Sequence, residues 1–231
     1  MYFCEKFILS VCNFCRSARN IRIHARVPNH KDTNCLWNNN TFYQFFDSKN
    51  VVFMTSTEKR TIRKEVRAKI AELSFEDKQR LSSQIFSKIE SLPIIEEASV
   101  VALFISLADE PITTEIIEYL SQKKRIVVPR IEGDEMNFYD IAEGLQSGAF
   151  GIMEPIATTP IEPSEIDVMI VPGMAFTRSG ARCGRGKGFY DKYLSRNGFR
   201  AYTIGACYPC QIVDNLPTEE HDKPIQLIID N

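Results

Sequence analysis

Apolar residues recur at a helical spacing in the stretch that follows residue 56. Ile62, Val66, Ile70 and Leu73 stand three or four residues apart, which predicts an amphipathic helix from about Thr57. A second helix is predicted directly after it, since a Ser and an Asp three residues apart resemble a capping box and precede apolar residues at four-residue spacing. These residues are Ser74, Asp77, Leu81, Ile85 and Ile89.

Short apolar runs predict strands in the rest of the chain, with helices between them. The run Val100–Ile105 is continuous, as expected for a strand buried on both faces, and Thr114–Leu120 is helical. The other predicted strands are Ile126–Pro129, Met136–Tyr139, Asp167–Val171, Tyr202–Ala206 and Leu227–Ile229. This alternation predicts an α/β fold with a mostly parallel sheet, in a single domain that covers residues 54–231.

Ligands of such folds bind beyond the carboxyl ends of the strands. We therefore expect the functional site in the loops that follow Ile105, Pro129, Val171 and Ala206. The acidic residue Glu110 lies in the first of these loops, where it could accept hydrogen bonds from a polar heterocycle.

The stretch 171–194 combines glycine with positive charge. Arg182, Arg185 and Lys187 alternate with glycines, and Tyr190 follows at the start of a predicted helix. Glycine lets the backbone approach a ligand closely, and free N–H groups at a helix start favour anions. The glycines are Gly180, Gly184, Gly186 and Gly188. We predict a phosphate-binding loop, with a flexible basic surface loop as the open alternative.

The glycine spacing matches neither common nucleotide-binding fingerprint. Lys187 is followed by Gly188 and Phe189 rather than by Ser or Thr, and the glycines lie late in the chain rather than in an opening βαβ unit. Asp191 directly after the loop and Asp222 in a late loop could hold Mg²⁺, which binds carboxylates, phosphate oxygens and water. The alternative for Asp191 is a simple preference for a helix N-terminus.

Composition excludes several classes of protein. The 231 residues are 44% hydrophobic and 25% charged with a net charge of −2, so the chain gives no nucleic-acid signal. No apolar run approaches the roughly 18 residues of a membrane span. Residues 54–231 hold one histidine, His221, and no nucleophile-elbow serine, which argues against a His-based triad. Cys207 and Cys210 form a C-x-x-C that lies too late in the chain for a thioredoxin-like fold.

Residues 1–53 differ from the rest of the chain. They hold seven Lys or Arg against three Asp or Glu, four of the seven cysteines, and no sustained hydrophobic period. We interpret this leader as an over-extended gene start that precedes a true start at Met54. A targeting leader with arginines on one helical face stays open, as does a poorly spaced zinc site around Cys12 and Cys15. Unpaired cysteines in the body predict a reduced, cytoplasmic setting.

Taken together, the motifs of residues 57–231 resemble the 5-formyltetrahydrofolate cyclo-ligase family, also called 5,10-methenyltetrahydrofolate synthetases. The central stretch 171–194 is the most specific motif. The others, in order, are Lys59-x-x-x-Arg63, Phe104–Glu110 with Thr113 and Thr114, Gly151–Pro155, and Gln211–Pro217 with His221 and Asp222.

The resemblance implies a three-layer α/β/α arrangement related to ribose-phosphate isomerases and CoA transferases. It implies that ATP and 5-formyltetrahydrofolate yield 5,10-methenyltetrahydrofolate, ADP and phosphate with Mg²⁺, through a phosphorylated formyl oxygen that N10 displaces. Arg185 and Lys187 are the implied catalytic residues, and a monomer without nucleic-acid or membrane partners is expected. The implied ATP contacts are Lys59, Arg63, Arg182, Gly184, Arg185, Gly186, Lys187, Gly188, Phe189 and Tyr190. The implied folate contacts are Ile105, Glu110 and the residues from Arg185 to Phe189. The implied Mg²⁺ ligands are Asp191 and Asp222.

Two positions depart from the family pattern. Cys183 stands where Leu is usual, and Phe189 stands where Tyr is frequent, so a hydroxyl contact there is absent. Neither departure removes a charge. Two alternatives remain: a non-catalytic nucleotide- or anion-binding protein of the same fold, and a sugar-phosphate isomerase suggested by fold analogy alone.

Overall fold

The computed structural model describes residues 48–148 and 153–231. Packing divides the chain into one unit of residues 1–54 and another of residues 55–231. The predicted leader and the first part of the Gly151–Pro155 motif therefore lie outside the described residues, apart from the short stretch from residue 48. No described helix is long and apolar enough to cross a membrane.

Helices and short strands alternate through the described residues. The helices are α1 (Ser48–Ala71), α2 (Phe75–Glu90), α3 (Pro93–Glu97), α4 (Thr114–Ser121) and α5 (Phe189–Leu194). The strands are β1 (Val100–Ala102), β2 (Arg125–Glu132), β3 (Glu135–Asp140), β4 (Leu145–Ser147), β5 (Met153–Pro155), β6 (Val168–Val171), β7 (Ala175–Phe176), β8 (Arg182–Cys183), β9 (Tyr202–Ala206) and β10 (Leu227–Ile229). Two 3₁₀ turns, Pro163–Glu165 and Pro209–Gln211, complete the described elements.

A six-stranded sheet in the order β10-β9-β6-β1-β2-β3 forms the centre of the fold. All neighbours are parallel except β3, which pairs with β2 as an antiparallel edge strand. The pairs β4–β5 and β7–β8 lie outside this sheet. The predicted α/β fold with a mostly parallel sheet is confirmed.

Alternating strand residues bury two separate hydrophobic cores. Val101 and Ile170 pack with α1 to α4 on one face of the sheet, whereas Ala102 and Met169 pack on the other face with Tyr193 of α5. Helices therefore cover both faces, as in a three-layer arrangement. This arrangement leaves the carboxyl ends of the parallel strands as the edge at which loops can meet.

Several predicted boundaries were wrong. Helix α1 begins at Ser48 rather than near Thr57, because no Gly or Pro interrupts the chain between them. Strand β1 ends at Ala102 instead of Ile105. Strand β2 continues past Pro129 to Glu132. Beyond Val127, where β1 ends, β2 pairs only with β3, and Pro129 is tolerated there although it has no backbone N–H to donate.

The predicted start of the second helix is confirmed. Ser74 is the N-cap of α2, and its side chain accepts a hydrogen bond from the backbone N–H of Asp77 at 3.0 Å. The apolar stripe of α1 is also confirmed, with Val66 and Ile70 almost fully buried. Helix α3, the β4–β5 and β7–β8 pairs and the 3₁₀ turns were not predicted, because each of these elements is only two to five residues long.

Candidate active site

The glycine-rich loop leaves the sheet at the end of β6 and returns through the small β7–β8 pair. Gly180 adopts a φ of +93°, and a Cβ there would lie 2.2 Å from the carbonyl oxygen of Ile225, so only glycine fits. The amide of Ile225 in turn donates to the Gly180 carbonyl at 2.8 Å. This contact attaches the loop to the segment that carries Asp222.

The second half of the loop requires glycine for a different reason. A Cβ on Gly184 would lie 2.8 Å from Nη1 of Arg182, so the missing side chain leaves room for the guanidinium. Gly186 and Gly188 adopt φ values of +100° and +70°, which L side chains rarely adopt. Helix α5 follows directly, has six residues and has Gly188 as its N-cap.

Arg182 is buried below the loop and paired with a carboxylate. Its Nη2 lies 2.8 Å from Oδ2 of Asp191, and the side chain of Arg182 is 3% exposed. The guanidinium carbon also lies 5.6 Å from the centre of the Tyr190 ring. Its buried Nε has no hydrogen-bond partner in the described structure.

Arg185 reaches across the cavity to the loop that follows β1. Its Nε and Nη2 donate to Oε1 of Glu110 at 3.0 and 2.9 Å, and its Nη1 donates to Oδ2 of Asp109 at 3.2 Å. Burial raises the pKa of Glu110, although the charge of Arg185 opposes part of this rise. For Asp109, burial is outweighed by the hydrogen bonds and charge of Arg185, which lower its pKa.

Helix α1 places two cations against the opposite side of the loop. Lys59 Nζ lies 2.5 Å from Oδ2 of Asp222 and 3.3 Å from Oε2 of Glu219. Arg63 Nε donates to the Gly184 carbonyl at 2.7 Å. Burial lowers the pKa of Lys59, but its two carboxylate partners outweigh burial and raise it. Lys187 is exposed, and no hydrogen bond or ion pair joins it to another described residue.

These groups surround one cavity of about 500 Å³. Every residue that the family resemblance implied lines this cavity. They are Lys59, Arg63, Ile105, Glu110, Arg182, Gly184, Arg185, Gly186, Lys187, Gly188, Phe189, Tyr190, Asp191 and Asp222. The structure therefore brings the implied residues together at the carboxyl edge of the sheet.

The cavity also has lining residues that the sequence did not single out. Arg130 and Met136 come from the β2–β3 hairpin, and Glu154 comes from β5. Arg130 donates to the carbonyls of Pro155 and Ala157 at 3.1 and 2.9 Å, which holds the β5 segment against the hairpin. The available signal was the position of Arg130 after a predicted strand, in a loop already expected to reach the site.

The carboxylates of the site offer oxygen ligands for a cation. Glu219, His221 and Asp222 place one potential ligand atom each within 4.8 Å of one another. The oxygen atoms of Glu219 and Asp222 suit Mg²⁺, which prefers oxygen. Asp191 is not in this group: its Oδ2 contacts Arg182, and its Oδ1 accepts from the Lys223 amide at 3.3 Å.

The described cysteines are free thiols. Burial raises the pKa of Cys207 and Cys210, so neither is activated as a nucleophile, in agreement with the rejection of a redox role. Burial also raises the pKa of Cys183, which lines the cavity. The described chemistry of the site is therefore that of cations and carboxylates.

The comparisons with known proteins agree with one another. Residues 55–231 match the model of the 5-formyltetrahydrofolate cyclo-ligase family. A 5-formyltetrahydrofolate cyclo-ligase of Escherichia coli is 30% identical over 71% of this chain and 95% of its own length, and that of Mus musculus is 26% identical over 75% and 94%. The solved structure of the Aquifex aeolicus 5,10-methenyltetrahydrofolate synthetase is 34% identical, with a TM-score of 0.68 over 74% of this chain and 89% of that one.

Proposed function

The chain belongs to the 5-formyltetrahydrofolate cyclo-ligase family and is a ligase, and we propose that it cyclises 5-formyltetrahydrofolate to 5,10-methenyltetrahydrofolate at the expense of ATP. The products are 5,10-methenyltetrahydrofolate, ADP and phosphate. One observation carries the proposal: a single cavity of about 500 Å³ is lined both by the cationic glycine loop and by the buried Glu110.

The proposed chemistry solves a leaving-group problem. The formyl oxygen of a formamide is a poor leaving group, so it first attacks the γ-phosphorus of ATP, and ADP departs with the electrons of the broken P–O bond. N10 of the folate then attacks the formyl carbon, loses its proton and closes the five-membered ring. The C–O bond breaks, phosphate leaves with the former formyl oxygen, and a C=N bond forms at the ring carbon.

The charges around the loop suit this sequence of steps. Phosphoryl transfer depends mainly on positioning and on neutralising charge at the transferring group. Arg185 and Lys187 are the proposed catalytic cations, and the exposed Lys187 has no competing partner among the described residues. Lys59, Arg63 and the remaining loop residues through Tyr190 are the proposed contacts to ATP.

Folate is proposed to bind on the Glu110 side of the cavity. Glu110 would accept hydrogen bonds from the polar edge of the pteridine ring, while Ile105 and Phe189 pack against its faces. A Mg²⁺ ion would neutralise phosphate charge when bound. Asp222 with Glu219 presents suitable oxygens, and Asp191 stays the second proposed ligand, although its carboxylate is paired with Arg182.

The proposal is tested by a spectrophotometric assay with an isotope label. Purified protein, 5-formyltetrahydrofolate, MgCl₂ and ATP should produce methenyl-folate absorbance, and omission of ATP should abolish it. With ¹⁸O in the formyl group, the released phosphate should carry one ¹⁸O atom. Unlabelled phosphate together with turnover would refute the phosphorylated intermediate.

Absence of turnover would favour the alternative of a non-catalytic anion-binding protein. Parallel assays of the full chain and of residues 54–231 test whether the leader is dispensable, as an over-extended gene start requires. A monomeric, cytoplasmic enzyme is likewise part of the proposal, and sedimentation of the purified protein tests the first of these two properties.

A further inference from the structure

Glu110, a proposed folate contact, and Arg185, a proposed catalytic cation for phosphoryl transfer, are hydrogen-bonded to each other in the described structure. Oε1 of Glu110 accepts two hydrogen bonds from Arg185, and its Oε2 accepts one from the Leu107 amide at 3.0 Å. The Glu110 side chain is only 6% exposed. Neither a pteridine at Glu110 nor a phosphate at Arg185 can therefore bind fully while this pair is intact.

Asp109 holds the other side of the same guanidinium. It accepts hydrogen bonds from Nη1 and Nη2 of Arg185. Together, Glu110 and Asp109 accept four hydrogen bonds from this guanidinium, which has five N–H donors. Asp109 does not line the cavity, whereas Glu110 does. One carboxylate can thus exchange its partner inside the cavity while the other retains the arginine.

We propose that Glu110 and Arg185 exchange partners when the substrates bind and thereby couple folate binding to ATP binding. This inference rests on the proposed function. N–H donors of the pteridine replace Arg185 at Glu110. The released guanidinium, still held by Asp109, then turns to the phosphates of ATP.

The energetic reason is the cost of an unpaired buried charge. ATP alone must break the pair and leave the buried Glu110 carboxylate without its cation, which is strongly unfavourable, and folate alone must replace the two hydrogen bonds that Arg185 donates to Glu110. The second ligand meets a group that is already released, so each ligand raises the affinity for the other by the same factor. Without folate, Arg185 stays on Glu110, and wasteful ATP hydrolysis is suppressed.

Calorimetry with unreactive ligands tests the exchange in the full chain. A non-hydrolysable ATP analogue is titrated with MgCl₂ in the absence and in the presence of saturating 5-methyltetrahydrofolate, which has no formyl oxygen to phosphorylate. We expect folate to tighten binding of the analogue by about fivefold or more. Equal affinity in the two titrations would overturn the proposal.

Two matched variants identify the carboxylate responsible. Glu110→Gln and Asp109→Asn each remove one negative charge that faces Arg185, but only Glu110 lines the cavity. In Glu110→Gln the analogue alone should bind more tightly than to wild type, and folate should add less than about twofold. Asp109→Asn should keep the wild-type coupling, and equal loss of coupling in both variants would overturn the exchange.

The outcomes separate this proposal from the proposed function. Turnover without coupling in the wild type refutes the exchange alone, whereas failure of both ligands to bind refutes the proposed function itself. Circular dichroism verifies that each variant is folded. The wild-type titrations decide the question even if Glu110→Gln does not fold.

Discussion

The ion pair between Arg182 and Asp191 provides the sharpest test of how the site is built. In Asp191→Asn the buried guanidinium loses the carboxylate that lies 2.8 Å away. Its other polar contact is a 3.4 Å approach of Nη1 to the Pro172 carbonyl, and its Nε has no partner in the described structure. The positive charge would then remain buried with little compensation.

The expected cost follows from the burial of the pair. Removal of one partner from a buried ion pair typically costs about 3–5 kcal/mol. The Asp191 side chain is 15% exposed, so water screens part of the charge, and we expect about 3 kcal/mol. At about 2–4 °C per kcal/mol for a domain of this size, the melting temperature should fall by roughly 6–12 °C.

Urea denaturation followed by circular dichroism measures this change without Mg²⁺ and with EDTA present. The matched control is the double variant Arg182→Met with Asp191→Leu, which removes both charges and should be more stable than Asp191→Asn alone. A loss below about 1 kcal/mol in Asp191→Asn would refute the reasoning. It would favour a primary role for Asp191 as a metal ligand, because such a role contributes no stability without metal.

Four further changes test separate parts of the structure. Arg185→Ala should lower kcat by about 10²–10³-fold with a far-UV spectrum like that of wild type, although the buried Glu110 loses its cation and the free energy of unfolding should fall. Arg185→Lys should recover part of the rate, and full activity in Arg185→Ala would contradict its catalytic role. Lys187→Ala should lower turnover and leave the melting temperature within about 1 °C, because the side chain is exposed; unchanged steady-state kinetics would remove Lys187 from the mechanism. Hydrogen bonds from Tyr139, Arg130 and Asn137 lower the pKa of Glu132 from 4.5 to about 2, so the stability that the ionised Glu132 contributes is present above pH 4.5 and is lost as the pH falls towards 2. The free energy of unfolding should therefore fall less steeply with acid in Glu132→Gln than in the exposed control Glu143→Gln, and identical curves for the two variants would contradict this assignment. Ser74→Ala should cost about 1 kcal/mol in urea denaturation through loss of the α2 N-cap, while Ser83→Ala on the exposed face of the same helix should cost much less; equal losses would point to helix propensity instead.

The local motifs of the site were predictable from the sequence. Residues 182–191 are contiguous, and their glycines and cationic side chains together predict an anion-binding loop. Glu110 was predictable because it follows a buried strand, and the ends of parallel strands meet at one edge of the sheet. The residue types and the rule of strand ends were sufficient for these assignments.

The pairings between the charged residues were not predictable in the same way. Lys59 and Asp222 are 163 positions apart, and their contact depends on how α1 packs across the complete sheet. Arg130 was missed because its hydrogen-bond partners are two backbone carbonyls, those of Pro155 and Ala157, and the pattern of side chains does not predict backbone partners. The early start of α1 was missed because residues 48–56 lack a clear apolar stripe.

The contact between Lys59 and Asp222 also has a consequence for the order in which the protein is made. A ribosome that adds about 5–20 residues per second needs on the order of ten seconds to proceed from one of these residues to the other, which are 163 positions apart. Throughout that interval the first cation of the cavity exists without its carboxylate. A nascent chain arrested before Asp222 should therefore hold most of the sheet yet lack a finished cavity, so ligand capture is confined to chains in which synthesis has passed Asp222.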